Sequence, residues 1–171
     1  FKKVPREVII SDSVFSSNQI VAHPGICRIP EKCVLRGGAL SFVGISAVIY
    51  NTSLTVNQIT NTVSAEAQLK GGALYMVGTF LGKHTLLIEN SAFRGNSAFV
   101  DEIASSSKSG SGGAIFASNV DQVNVSATLI ENSLAGGHNL LSVFESAGGS
   151  VYLTGSQSLN LEYVDFLDNS I

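Results

Sequence analysis

Tryptophan is absent from these 171 residues, proline occurs 3 times, cysteine twice, and charged side chains make up only 13%. Charge is therefore about half the usual share of roughly 25%. A disordered chain combines high net charge with few apolar residues, and here 44% of residues are hydrophobic and the net charge is −3. Disorder is excluded. So is a basic footprint for nucleic acid across the chain. The charge is uneven: residues 1–108 hold 10 basic and 7 acidic side chains, and residues 109–171 hold none and 6. No apolar run approaches the roughly 18–20 residues that a membrane helix needs, so no membrane insertion by this segment is expected. No signal peptide is visible, and Phe1 stands mid-pattern, so a targeting segment is expected to lie outside these residues.

What is plentiful is glycine, serine, asparagine and β-branched residues, a composition that suits a β-rich fold with a hydroxyl- and amide-covered surface. Repetition is the strongest signal. Gly37-Gly38-Ala39-Leu40, Gly71-Gly72-Ala73-Leu74, Gly112-Gly113-Ala114-Ile115 and Gly148-Gly149-Ser150-Val151 are four versions of one tetrapeptide, spaced by 34, 41 and 36 residues. Each leads into a short apolar run. Paired glycines permit positive φ or a close backbone approach, so the chain can turn sharply into a strand.

A second motif alternates with the first: Phe15-Ser16-Ser17-Asn18, Leu54-Thr55-Val56-Asn57, Phe93-Arg94-Gly95-Asn96 and Phe166-Leu167-Asp168-Asn169. In the fourth unit it reads Leu134-Ala135-Gly136-Gly137, without the Asn. Ile88-Glu89-Asn90-Ser91 resembles Ile130-Glu131-Asn132-Ser133, which supports that alignment. The aromatic or Leu is expected inward, and the Asn at a bend where it tolerates left-handed geometry.

Stacking such units at about 4.8 Å lays like residues over like. Phe15, Leu54, Phe93, Leu134 and Phe166 would form an apolar column, and Asn18, Asn57, Asn96 and Asn169 an amide ladder. The expected fold is all-β: a right-handed, single-stranded parallel β-helix of about 4–5 coils with loop insertions. It is read as one domain over residues 1–171, with repeat units at approximately 1–36, 37–70, 71–111, 112–147 and 148–171, and as a fragment or subunit of a longer β-helix. A helical solenoid fails because long apolar segments of 3.6 period are missing. Residues 19–36, 58–70, 97–111 and 138–147 read as turns that swell, with residues 104–111 a flexible loop by composition.

Cys27 and Cys33, bracketed by Pro24-Gly25 and enclosing Pro30, read as a disulfide-closed loop in an oxidising compartment. Two free thiols are the alternative. Asn51-Thr52-Ser53 and Asn124-Val125-Ser126 are glycosylation sequons, making Asn51 and Asn124 the acceptors.

Catalytic chemistry has no constellation to rest on. Glycoside hydrolysis needs two carboxylates about 5–9.5 Å apart across one cleft. Here Asp101-Glu102 sits beside a loop, and Asp165 and Asp168 flank Phe166. His23, His84 and His138 occupy different places in the repeat and read as turn residues. Residues 110–114 are glycine-rich but precede a strand, whereas a phosphate cradle precedes a helix and needs Lys. No enzyme activity, metal or cofactor is expected.

The alternating Gly-Gly-Ala-Ile/Leu and Phe-x-x-Asn motifs, from Phe15 to Asn169, resemble the repeats of chlamydial polymorphic outer membrane proteins. Related repeats occur in other surface-exposed β-helix proteins, some from eukaryotic microbes. The resemblance implies a secreted or cell-surface β-helix with a structural or adhesive role. In the bacterial family such repeats form the passenger of an autotransporter, and a membrane barrel follows; these 171 residues supply none. The implied partners are further β-helix coils or copies of the chain stacked end to end, and a host or cell-surface receptor or glycan. A carbohydrate-binding or carbohydrate-active β-helix, and a stacking subunit of an extracellular filament, are the competing readings.

Overall fold

Runs such as Ser46-Ala47-Val48-Ile49-Tyr50 and Thr85-Leu86-Leu87-Ile88-Glu89 alternate between buried and more exposed side chains, the pattern of a strand with one face on a core. The computed structural model describes residues 7–22, 33–61, 67–80, 82–100, 108–137 and 144–171. Among the described residues every regular element is a strand, and no helix is long and apolar enough to cross a membrane.

The chain winds through the same strand positions again and again. The first, partial turn holds β1 (Glu7–Ser11), β2 (Val14–Ser16), β3 (Gln19–Ala22) and β4 (Cys33–Arg36). The second holds β5 (Leu40–Val43), β6 (Ser46–Tyr50), β7 (Ser53–Thr55), β8 (Gln58–Asn61) and β9 (Ala67–Lys70). The third holds β10 (Leu74–Val77), β11 (Thr85–Glu89), β12 (Ala92–Arg94), β13 (Ser97–Val100) and β14 (Lys108–Ser111). In the fourth, β15 (Ile115–Ser118) leads into the long β16 (Gln122–Glu131), then β17 (Leu134–Gly137) and β18 (Phe144–Ala147). The last, partial turn is β19 (Val151–Thr154) and the long β20 (Ser158–Leu167).

Strands pair in parallel with their counterparts one turn away, giving the ribbons β5-β10-β15-β19, β3-β8-β13-β17 and β4-β9-β14-β18. A fourth sheet joins β1-β6-β11 to β12-β7-β2 through β16, on which β20 also pairs. The molecule is a parallel β-solenoid. Three of its turns are complete and one at each end is partial, which refines the expected 4–5 coils.

In-register pairing makes the core a set of vertical columns. Leu40, Leu74, Ile115 and Val151 form one. Ile10, Ile49, Ile88, Val125 and Leu161 form another. Leu54, Phe93 and Ile130 are fully buried within the main cluster, each covered by the residue above and below. Burying a side chain of this size stabilises by about 1.5–3 kcal/mol. A smaller cluster of Ile59, Leu69 and Ala98, with Ile20 and Leu35 against it, fills the space inside the β3- and β4-type ribbons.

The paired glycines divide their labour. Gly37, Gly71, Gly112 and Gly148 adopt φ of 60–70°, the left-handed region. Their partners do something else: a Cβ on Gly38, Gly72 or Gly113 would strike the carbonyl oxygen of Gly72, Gly113 or Gly149 in the next turn. The first glycine turns the chain and the second lets two turns approach.

Three sequence expectations change. Residues 58–61 and 67–70, and their counterparts in the other units, are stacked strands rather than swollen turns; the segments between those strand pairs vary in length. Residues 108–111 of the expected flexible loop belong to β14; residues 104–107 lie outside the described residues. Leu134 is not in the Phe column. It pairs with Ser97 in β17, and Ile130 pairs with Phe93 and Phe166. The resemblance of Ile88-Glu89-Asn90-Ser91 to Ile130-Glu131-Asn132-Ser133 is real but joins two different corners: Ile88 pairs with Val125. In these two turns each bend has a left-handed Asn, Asn90 or Asn132, followed by Ser91 or Ser133, so the same four residues serve either corner.

Candidate functional site: two corners and the groove beside them

Each turn bends twice around the large sheet, and both bends use one left-handed residue. At the first corner these are Asp12, Asn51, Asn90, Ala127 and Tyr163, with φ of 45–53°. At the second they are Ser17, Val56, Gly95, Asn132 and Asp168, with φ of 50–59°. Short polar side chains and glycine adopt this region at small cost; Val56 and Tyr163 do not.

The residue after the second corner is the ladder Asn. Asn18 Nδ2 donates to Asn57 Oδ1 at 2.8 Å, and Asn57 Nδ2 donates to Asn96 Oδ1 at 3.0 Å. The same oxygens accept backbone N–H groups, Asn57 N–H to Asn96 Oδ1 at 2.9 Å among them. Asn57 Nδ2 also reaches the carbonyl of Phe15 at 3.0 Å, and Asn96 Nδ2 that of Leu54 at 2.9 Å. Asn57 and Asn96 are fully buried. A buried amide with its donors and acceptors matched stabilises; one left unmatched costs about 1–3 kcal/mol. The fourth turn places Ser133 here, and the ladder resumes when Asn169 Oδ1 accepts the Ser133 N–H and Asn169 Nδ2 donates to the Ile130 carbonyl, both at 2.9 Å.

The first corner carries a second ladder, of hydroxyls, which the sequence reading missed. Ser13, Thr52, Ser91 and Thr128 each donate to the carbonyl two residues back, at 2.7–2.9 Å. Thr52 N–H donates to Ser91 Oγ at 3.2 Å, and Ser91 N–H to Thr128 Oγ1 at 3.4 Å. The only available signal was the near-constant spacing of these four residues, hidden in a chain rich in Ser and Thr.

Outside this corner runs an open groove of about 470 Å³, whose lining includes Asp12, Asn51, Ser53, Asn90, Ala92 and Leu129. Asn51 donates to Asp12, and Asn90 to Asn51 at 3.4 Å, along its exposed rim. Asp12 is its single carboxylate. The sequon residue Asn51 is thus exposed at a turn, with the Thr52 hydroxyl buried beneath it; Asn124 lies within β16, partly buried, between Leu87 and Asn160. Cys27 lies outside the described residues. Cys33 begins β4, and the expected Cys27–Cys33 disulfide falls outside the described residues. His23, His138 and Asp101-Glu102 also lie outside them. His84 is buried, with Nε2 3.0 Å from Thr79 Oγ1. Asp165 sits in β20 and Asp168 at a corner. Among the described residues no three His, Cys, Asp or Glu side chains gather into a group able to hold a metal.

A third column lies on the β5-type ribbon. Tyr75, Phe116 and Tyr152 stack with ring centroids 5.3 and 5.2 Å apart. Arg36 lies over Tyr75 and Lys70 over Phe116, at 5.3 and 5.1 Å. Burial, and then the neighbouring Arg36 charge, lower the pKa of Lys70.

The fold and its ladders define the chain as a β-solenoid repeat protein. Compared with protein-family models, curated proteins and solved structures, it matches none.

Proposed function

We propose that this is a non-catalytic structural or adhesive protein of the extracellular space or cell surface. One observation carries the reading. The repeated polar residues, Asn18, Asn57, Asn96 and Asn169 and the hydroxyl column, spend their hydrogen bonds inside the solenoid, on the neighbouring turn or on their own bend. Their role is to hold a rod that presents its turns and loops to partners. The motif resemblance to surface-exposed β-helix proteins supports the same reading. The partners in this reading are a cell-surface receptor or glycan, and further β-helix coils or copies of the chain.

Stacking has its own support. The inward residues Leu159, Leu161 and Phe166 of β20 are 43–49% exposed, while Val123, Val125 and Ile130, their partners in β16, are buried. Another coil of like register would cover them. Sedimentation at increasing protein concentration tests this: reversible linear association is the expected result, and a monomer throughout would remove it.

The main reading is tested by coupling the protein to beads. We expect saturable adhesion to cell surfaces that survives Asp12→Asn, Asp165→Asn and Asp168→Asn, with no product released from polysaccharides. Release of product, abolished by one of those substitutions, would overturn it.

A further inference from the structure

The connections between the β5-type and β6-type strands are short in three turns: residues 44–45, 119–121 and 155–157. In the third turn the connection is residues 78–84. The longer segment overhangs its neighbours and is fastened at its base. His84 N–H donates to Asp121 Oδ2 at 2.7 Å, and the His84 carbonyl accepts from Asp121 N–H at 2.9 Å. The buried imidazole meets Thr79 Oγ1 from within. Gly78 N–H donates to the Ser118 carbonyl at 2.9 Å, and a Cβ at Gly78 would strike the Asn119 carbonyl.

This fastening holds up a side chain that folding does not use. Phe80 is 98% exposed, the most exposed large apolar residue among those described. Beside it opens a cavity of about 290 Å³ lined by Thr79, Phe80, Gly82, Asn119, Asp121, Gly155 and Gln157. Its walls come from successive turns: Asn119 and Gly155 are left-handed corner residues, and Gln157 Nε2 donates to Asp121 Oδ1 at 3.2 Å.

We propose that this overhang is a binding site for a saccharide ring. The proposal rests on the adhesive reading above and names its ligand class. A phenyl face carries negative charge density and attracts the C–H-bearing face of a pyranose, whose hydrogens are weakly positive. The amides of Asn119 and Gln157 each donate and accept, the Asp121 carboxylate accepts, and the Thr79 hydroxyl does both. That set matches a ring of hydroxyls. An apolar peptide side chain on Phe80 would leave the Asn119 amide facing it without a partner, at a cost. The cavity is at the small end of ligand pockets, which begin near about 300 Å³, so it takes one or two sugar residues rather than a long chain.

The test is saturation-transfer NMR and calorimetry on the whole protein, with methyl glycosides of hexoses, N-acetylhexosamines and deoxyhexoses and their short oligosaccharides as probes. At least one probe is expected to bind. Phe80→Ala should weaken it about tenfold or more, and Phe80→Trp should retain it. Gln157→Ala should weaken it with an unchanged melting temperature. The proposal is overturned if no probe binds at millimolar concentration, if Phe80→Ala binds as well as the parent, or if Phe80 captures only peptides. Bead adhesion of the same variants separates the two readings: adhesion without glycoside binding leaves the adhesive role standing and removes this site.

Discussion

The two corners of the large sheet solve one geometric problem with different chemistry. Both bend on a single left-handed residue, and both follow it with a side chain that reaches the neighbouring turn. At the second corner that side chain is an amide, which bonds the next amide, the next backbone N–H and a carbonyl. At the first it is a hydroxyl, which bonds its own strand and accepts one N–H. The amide corner ties turns together; the hydroxyl corner mainly closes its own bend. Substitutions at the amide corner should therefore cost more.

Asn96→Ala should cost the most, about 2–4 kcal/mol in denaturant unfolding, because it strips partners from the Asn57 N–H and the Leu54 carbonyl inside a dry core. Ser91→Ala, at the equivalent place on the other corner, should cost about 1 kcal/mol by the same measurement. Equal losses would erase the distinction. Ser133→Asn, which restores the missing amide, should gain about 1 kcal/mol if the ladder has one geometry throughout. Val56→Asn should also gain about 1 kcal/mol, since a β-branched residue held at φ 54° is strained and Asn is not.

The smallest effect concerns Lys70, whose pKa burial and Arg36 lower. The unfolded chain binds that proton more readily, so stability should rise as pH climbs from the lowered value toward 10.5, and the charged form should be the less stable one. Lys70→Gln should flatten that rise relative to the parent in paired pH titrations of thermal unfolding.

The sequence disclosed the solenoid because its two motifs recur where the backbone has least freedom. The glycine pairs and the Phe-x-x-Asn bends were readable for that reason. The β3- and β4-type strands were not. Gln58-Ile59-Thr60-Asn61 buries Ile59 and Ala67-Gln68-Leu69-Lys70 buries Leu69, in runs too short for a period-2 signal. The fourth turn misled for a physical reason too. Strand β16 runs through the first corner on Ala127, without the Asn that marks it in the two turns before, so Ile130-Glu131-Asn132-Ser133 passed for the earlier corner. The Phe80 overhang lay concealed in the longest glycine-pair spacing, part of whose extra length is the segment 78–84.

A double-mutant cycle on the ladder tests vertical stacking most directly. Asn57→Ala and Asn96→Ala, in adjacent turns, should couple by about 1 kcal/mol or more, and Asn57→Ala with Asn169→Ala, two turns further apart, should add to within about 0.5 kcal/mol. Strict additivity in the adjacent pair would contradict a fold held by turn-to-turn contact.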